Sequence, residues 1–108
     1  MENLFSYGTL QSEKIQLDLF GRMLQGQPDR LSGYKKELIK IKVNPGIEEH
    51  VTIIYTGDGS DGIEGTIFSL TKDELRKADE YETKAYKRIK ALLRSGLSAW
   101  VYVKNDNR

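Results

Sequence analysis

The chain has 108 residues, 38% hydrophobic and 31% charged, which predicts one soluble domain (residues 1–108) with a single modest core. Its 17 basic and 16 acidic residues leave a net charge of +1, so no overall field draws it to nucleic acid or to an anionic membrane. It has no cysteine and one histidine, which excludes thiol nucleophiles, disulfides and thiolate metal sites and leaves proton transfer chiefly to Glu, Asp, Lys or Tyr.

Met1-Glu2-Asn3 passes at once into a strand-like run, so no signal peptide is expected. No apolar stretch approaches the ~20 residues that cross a bilayer, and the cytoplasm is the expected compartment. Asn3–Ser6 reads as a short buried strand around Leu4 and Phe5. Tyr7-Gly8-Thr9-Leu10 follows, where the strand gives way to a helix. Gly8 lets the backbone turn and approach a ligand, and amides there can gather around an anion. The same four residues also suit an ordinary turn, and they match neither a phosphate-binding loop nor a dinucleotide fingerprint. Gln11–Phe20 reads as a helix with Ile15 and Leu19 one turn apart and Ser12 as its cap; Gly21 and Gln25-Gly26-Gln27-Pro28 end that region.

Arg30–Val43 is extended and alternating through Leu31, Tyr34, Leu38, Ile39, Ile41 and Val43, and Asn44-Pro45-Gly46 is a turn by composition. His50, in Glu48-Glu49-His50, reads as a surface loop residue; one His with scattered carboxylates makes no zinc site, and no metal is expected. Val51–Tyr55 is a β-branched strand. Gly57–Gly62 holds three glycines and two aspartates without the ligand spacing of a calcium loop, and reads as a plain connection. Ile63–Leu70 is a strand with both faces partly covered. After the helix described next, Tyr86–Leu93 and Ala99–Val103 form a hairpin through Ser95-Gly96-Leu97, and the polar tail Lys104–Arg108 is expected to fray.

Thr71–Glu82 is an amphipathic helix, opened by the Thr-x-x-Glu spacing of a capping box at Thr71 and Glu74. At about 100° per residue, Leu75 and Glu82 lie about 20° apart on the helical wheel, and Ala78 shares their face. Glu82 is thus a carboxylate where an apolar residue belongs. Burial and the negative end of the helix both raise the pKa of such a group, which makes it a general-base candidate. A frayed last turn with Glu82 in water fits the wheel equally well. The element count, five or six strands and two main helices, predicts an α+β fold: a mixed or antiparallel sheet curled toward a small barrel.

Residues 4–10, Leu-Phe-Ser-Tyr-Gly-Thr-Leu, and 79–88, Asp-Glu-Tyr-Glu-Thr-Lys-Ala-Tyr-Lys-Arg, resemble the γ-glutamylcyclotransferase superfamily, nearest its AIG-like branch that includes γ-glutamylamine cyclotransferase. That pattern has a Tyr-Gly-Ser/Thr-Leu loop, a strand with Glu-Gly, an Asp-x-Tyr/Phe-Glu helix end and a Tyr-x-Arg strand. Here these are Tyr7–Leu10, Glu64-Gly65, Asp79–Glu82 and Tyr86-Lys87-Arg88, in order. The resemblance implies a small mixed α/β barrel, a catalytic role for Glu82, and substrate binding by Tyr7, Gly8, Thr9 and Leu10. Two positions depart from the pattern: Thr83 stands where many members have Gly, and Ala78 where Leu is usual.

The implied reaction is intramolecular aminolysis of a γ-glutamyl amide or peptide, giving 5-oxoproline and a released amine or amino acid. Glu82 takes the proton of the α-ammonium and can return it to the leaving amine. The nucleophile belongs to the substrate, so the reaction suits a chain without Cys, and no cofactor is implied. The implied partner is a small γ-glutamyl substrate, with neither nucleic acid nor membrane; the sequence is silent on oligomeric state. Tyr86 and Arg88 share a strand face and either can reach a pocket, although core packing for Tyr86 and an acidic partner for Arg88 is the simpler reading. Walls near Gly57–Gly62 and the C-terminal tail are the expected source of leaving-group specificity. A non-catalytic module holding the same ligand is the main alternative; a nucleic-acid-binding barrel using Tyr86, Lys87, Arg88, Lys90, Arg94 and Trp100 is a weaker one.

Overall fold

The computed structural model describes residues 1–105. Seven strands and two α-helices follow in the order β1 (Glu2–Ser6), α1 (Glu13–Phe20), β2 (Gly26–Ser32), β3 (Tyr34–Lys42), β4 (Ile47–Tyr55), β5 (Gly62–Leu70), α2 (Lys72–Glu82), β6 (Tyr86–Leu92) and β7 (Ser98–Lys104), with one turn of 3-10 helix at Thr9–Gln11. Five strands form a sheet in the order β2-β5-β1-β7-β6, and β3 pairs with β4 in a separate ribbon. The central β1 is antiparallel to β5 and parallel to β7, which makes the sheet mixed. No helix among the described residues is long and apolar enough to cross a membrane.

Alternation along the strands covers the sheet on both faces. On one face Phe5, Leu31, Ile63, Ile67, Ala99 and Val101 pack with Ile53 from the ribbon. On the other, Leu4, Phe68, Leu70 and Tyr102 pack with Leu10 and with Leu75 and Ala78 of α2. The ribbon therefore occupies the place of a second layer opposite the helices. It is docked through Thr52, which is fully buried and accepts the Lys104 amide at 2.8 Å, and through Val51, whose carbonyl accepts the Tyr86 hydroxyl at 2.9 Å.

The α+β class, the two helices, the terminal hairpin and the mixed sheet agree with the sequence, while four expectations are corrected. Strands number seven, because Arg30–Val43 breaks at Gly33, whose φ of +83° only glycine adopts freely, and because the expected connection Gln25–Pro28 largely enters β2. The sheet curls but does not close into a barrel: the ribbon pairs only with itself, and the two edges meet through one backbone bond, Arg94 N–H to Arg30 O at 2.8 Å. His50 is not in a loop, since Ile47–Tyr55 is one continuous strand. Lys104 closes β7 and the Asn105 amide donates to the Ala85 carbonyl at 2.9 Å, so the tail is ordered that far; residues 106–108 lie outside the described residues.

Glu64-Gly65 acquires a packing reason. A Cβ at Gly65 would run into the Ser6 carbonyl oxygen and the Phe5 ring, where β1 ends and the Tyr7 loop begins. Gly65→Ala is expected to lower stability by about 1–3 kcal/mol through overpacking, measured by urea unfolding. An unchanged midpoint would show that β1 yields without cost.

Candidate active site

A cleft of about 640 Å3 opens between the β1–α1 loop, the end of α2 and the β3–β4 ribbon. Tyr7, Gly8 and Thr9 line it from the loop, Tyr81, Glu82 and Thr83 from the helix end, and Ile41, Glu48 and His50 from the ribbon. Of the residues singled out in the sequence, Glu82, Tyr7, Gly8 and Thr9 come together here. Leu10 does not line the cleft: its side chain is 2% exposed and packs in the helix-side core.

The loop is fixed from beneath. Gln16 is buried on α1, donates to the Leu10 carbonyl at 2.8 Å and accepts the Leu24 amide at 2.9 Å. Both ends of its amide are used, so a polar group sits in the core without an unpaired atom. Gln16 was not identified from the sequence, although a glutamine on the stripe of Ile15, Leu19 and Phe20 is a polar residue at a core position. The Tyr7 hydroxyl donates to the Tyr102 carbonyl at 2.6 Å, and burial raises its pKa above the phenol range while the Thr52 hydroxyl opposes the shift.

Each residue of Asp79-Glu80-Tyr81-Glu82 faces a different way, as 100° per residue requires. Asp79 takes the Arg88 guanidinium at both oxygens, 2.6 and 2.9 Å, and also accepts the Tyr102 hydroxyl at 2.7 Å. Glu80 pairs with Arg76 on the exposed face at 2.7 Å. Tyr81 and Thr9 share a hydrogen bond of 2.7 Å between their hydroxyls, which joins the helix end to the loop. Glu82 is left to the cleft, half-buried, and burial pushes its carboxyl up to about 7, with His50 acting in the opposite direction.

At its other end α2 has the capping box expected from Thr71 and Glu74. Arg22 adds a two-pronged bond to the Glu74 carboxylate, 2.7 Å at each oxygen. This pairing, first, and the Thr71 bonds hold Glu74 down at about 2 against the effect of burial. Two carboxylates on one helix are thus driven apart by surroundings, one fixed as an anion and one kept near neutrality.

Arg88 finds its acidic partner in Asp79 and also lies 4.4 Å from the centre of the Trp100 ring. Tyr86 both packs on the helix-side core and lines the cleft. The expected specificity wall at Gly57–Gly62 does not border the cleft, because that loop lies at the far end of the ribbon; the ribbon itself is the outer wall. Asp58 of that loop is engaged locally, accepting the Ser60 amide and hydroxyl at 2.9 and 2.7 Å.

Comparison with known proteins agrees with this architecture. The family described as gamma-glutamyl cyclotransferase, AIG2-like, matches residues 4–108, and the chain belongs to that family. Its fold is shared with a solution structure of an Arabidopsis thaliana protein (TM-score 0.75, 20% identity, covering 98% of this chain and 64% of that one). It is also shared with a gamma-glutamyl cyclotransferase (TM-score 0.72, 16% identity, 95% and 66%). A crystal structure of an uncharacterized Homo sapiens protein is similar as well (TM-score 0.73, 18% identity, 99% and 68%). The chain spans about two thirds of the length of these solved structures. No curated protein matches the sequence.

Thr83 stands where the resemblance implies glycine, and its backbone bears on that difference. It has φ +65° and ψ −174°, a region that favours glycine and that costs a side chain of this kind about 1–3 kcal/mol. Thr83→Gly is expected to raise stability by about 1 kcal/mol, after allowing for the greater freedom of glycine in the unfolded chain. A lowered unfolding midpoint would show that the bond from the Ala85 amide to the Thr83 hydroxyl, 3.3 Å, outweighs the strain.

The Glu82 carboxyl gives a second expectation. Its folded pKa lies above the ordinary carboxylate value, so the folded state holds the proton more tightly. Stability then falls as pH rises from about 4.5 to about 7, where Glu82 must ionise in a poorly hydrated site. Glu82→Gln removes that slope. The variant should unfold at a higher temperature than wild type at pH 8, with the gap narrowing toward pH 4.5; a gap independent of pH would contradict the burial of the charge.

Proposed function

We propose that this member of the gamma-glutamyl cyclotransferase, AIG2-like family cyclises a γ-glutamyl amide or peptide to 5-oxoproline, releasing an amine or amino acid, with Glu82 as general base. The observation that carries the reading is a half-buried carboxylate with its pKa raised to about 7, aimed into a cleft opposite a loop of small and backbone donors. A base poised there accepts a proton readily yet is ionised often enough to do so near neutrality.

In this reading the α-carboxylate of the γ-glutamyl group lies against the amides of the Tyr7–Leu10 loop. Leu10 contributes through its backbone, since its side chain belongs to the core. Glu82 takes a proton from the α-ammonium. The freed amine attacks the γ-carbonyl carbon, a five-membered ring closes, and the amide C–N bond breaks. Nucleophile and electrophile sit in one molecule, so the protein gains most by fixing the substrate in its folded-back conformation and offering donors to the oxyanion. Neither a protein nucleophile nor a cofactor takes part.

The test is 5-oxoproline release from a panel of γ-glutamyl amines and dipeptides, with Glu82→Gln beside wild type. The variant keeps the volume of the side chain and removes its basicity, and should lose about 10²–10⁴ in kcat. In wild type kcat/KM should rise with pH through about 7 as Glu82 ionises. A variant near wild-type rate would remove Glu82 from the mechanism, and binding of these compounds without turnover would make the cleft a receptor.

A further inference from the structure

We propose that His50, oriented by Glu48, is a second proton-transfer residue of the cleft and delivers the proton to the departing amine. The inference rests on the cyclisation reading above and adds a residue and a role to it. Its ground is placement. Residues two apart on a strand share a face, and on β4 that face carries Glu48 and His50 opposite Ile41 and Ile39 of β3. Ile41, Glu48 and His50 all line the cleft that Glu82 enters from the opposite side. The Nε2 atom of His50 lies 2.9 Å from a Glu48 carboxylate oxygen, a bond that fixes the ring and leaves Nδ1 as its other proton site. Lys36, Glu49 and Tyr86 are the remaining ionisable groups around this part of the cleft, together with Tyr7, Tyr81 and Tyr102 on its floor.

The departure of the amine calls for such a group. An α-ammonium carries three protons and a lactam nitrogen keeps one, so two must leave. One carboxylate holds one proton. Meanwhile an alkylamide nitrogen departs poorly unless it is protonated as its bond to carbon breaks. Glu82 takes the first proton, the amine forms its bond to the γ-carbon, and the carbonyl pair moves to oxygen. The ring nitrogen gives its second proton to water. The oxygen pair then returns, the C–N bond breaks, and its electron pair takes the proton of the His50 imidazolium. Glu82 releases its proton to water and His50 recovers one from water before the next turnover. With the α-end of the substrate at the loop, the leaving group points outward to the ribbon, where His50 lies.

A general acid is recognised by its dependence on the leaving group. We would measure kcat/KM for γ-glutamyl amides whose leaving amines range from an alkylamine to 4-nitroaniline, with wild type and His50→Gln. A 4-nitroaniline anion departs without help, so the ratio of nitroanilide to alkylamide rates should rise by about 10² in the variant. Glu48→Ala, which removes the orienting bond, should shift the same ratio in the same direction by less. His50 is partly exposed, so Gln is accommodated in the strand, and His50→Asn gives an independent second measurement. An unchanged ratio, whether the two rates stay level or fall together, overturns the role. Wild-type protein that turns over none of the amides overturns the cyclisation reading and this inference together; turnover with an unchanged ratio overturns the inference alone.

Discussion

The carboxylate of Asp79 is the point on which the geometry of this cleft depends. It takes both prongs of Arg88 from β6 and the hydroxyl of Tyr102 from β7, so one side chain ties the last turn of α2 to the neighbouring hairpin. The pair is only partly shielded, with side-chain exposures of 26% and 37%, and its contribution to stability is accordingly small. Its value is directional. A bidentate guanidinium–carboxylate bond fixes orientation as well as distance, and three residues later the helix delivers Glu82. Tyr81 adds the second constraint through Thr9, so the loop and the helix end are positioned against each other rather than separately.

That arrangement gives the short motifs of this chain one physical reason. Asp79, Tyr81 and Glu82 each face a different neighbour, and a helical period makes this possible only within a single turn. Arg88 completes Asp79, Gly65 lets β5 pass the end of β1, and Gln16 holds the loop from the core side. Thr83 carries a cost of the turn that follows the helix: the chain reverses there ahead of Ala85 and Tyr86, which line the cleft, and a β-branched residue occupies backbone space that glycine adopts freely.

Much of this was legible in the sequence because it is local. The capping box, the burial of Leu75 and Ala78 beside Glu82, the terminal hairpin and the two-sided alternation of Ile63–Leu70 all follow from spacing along one element. What failed was non-local or depended on a single backbone angle. Arg30–Val43 read as one extended segment because its alternation is continuous, and only the positive φ of Gly33 divides it. His50 read as a loop residue because Glu48-Glu49-His50 carries no strand propensity of its own; it is extended because residue-by-residue pairing with Lys40, Ile39 and Ile41 holds it so. The ribbon as the outer wall was invisible for the same reason, since its place over the sheet is set by Thr52, Ile53 and Tyr86, from two separate parts of the chain.

The chemistry and the composition meet at the ribbon. A chain without cysteine makes no acyl intermediate by thiol attack, and the proposed cyclisation asks for none, because in it the substrate brings its own amine. The demands that remain are a base of moderate strength and enough enclosure to make it so. Enclosure comes from a ribbon that pairs with no other strand, which leaves its tip free of the sheet hydrogen bonds that would lock its distance from the loop. The ribbon that lines the cleft together with Glu82 also carries the wall that a leaving group would meet in the proposed reaction. Changes of sequence along β3 and β4 can alter that wall without disturbing the Asp79 anchor or the Gln16 support beneath the loop, since neither bonds to the ribbon.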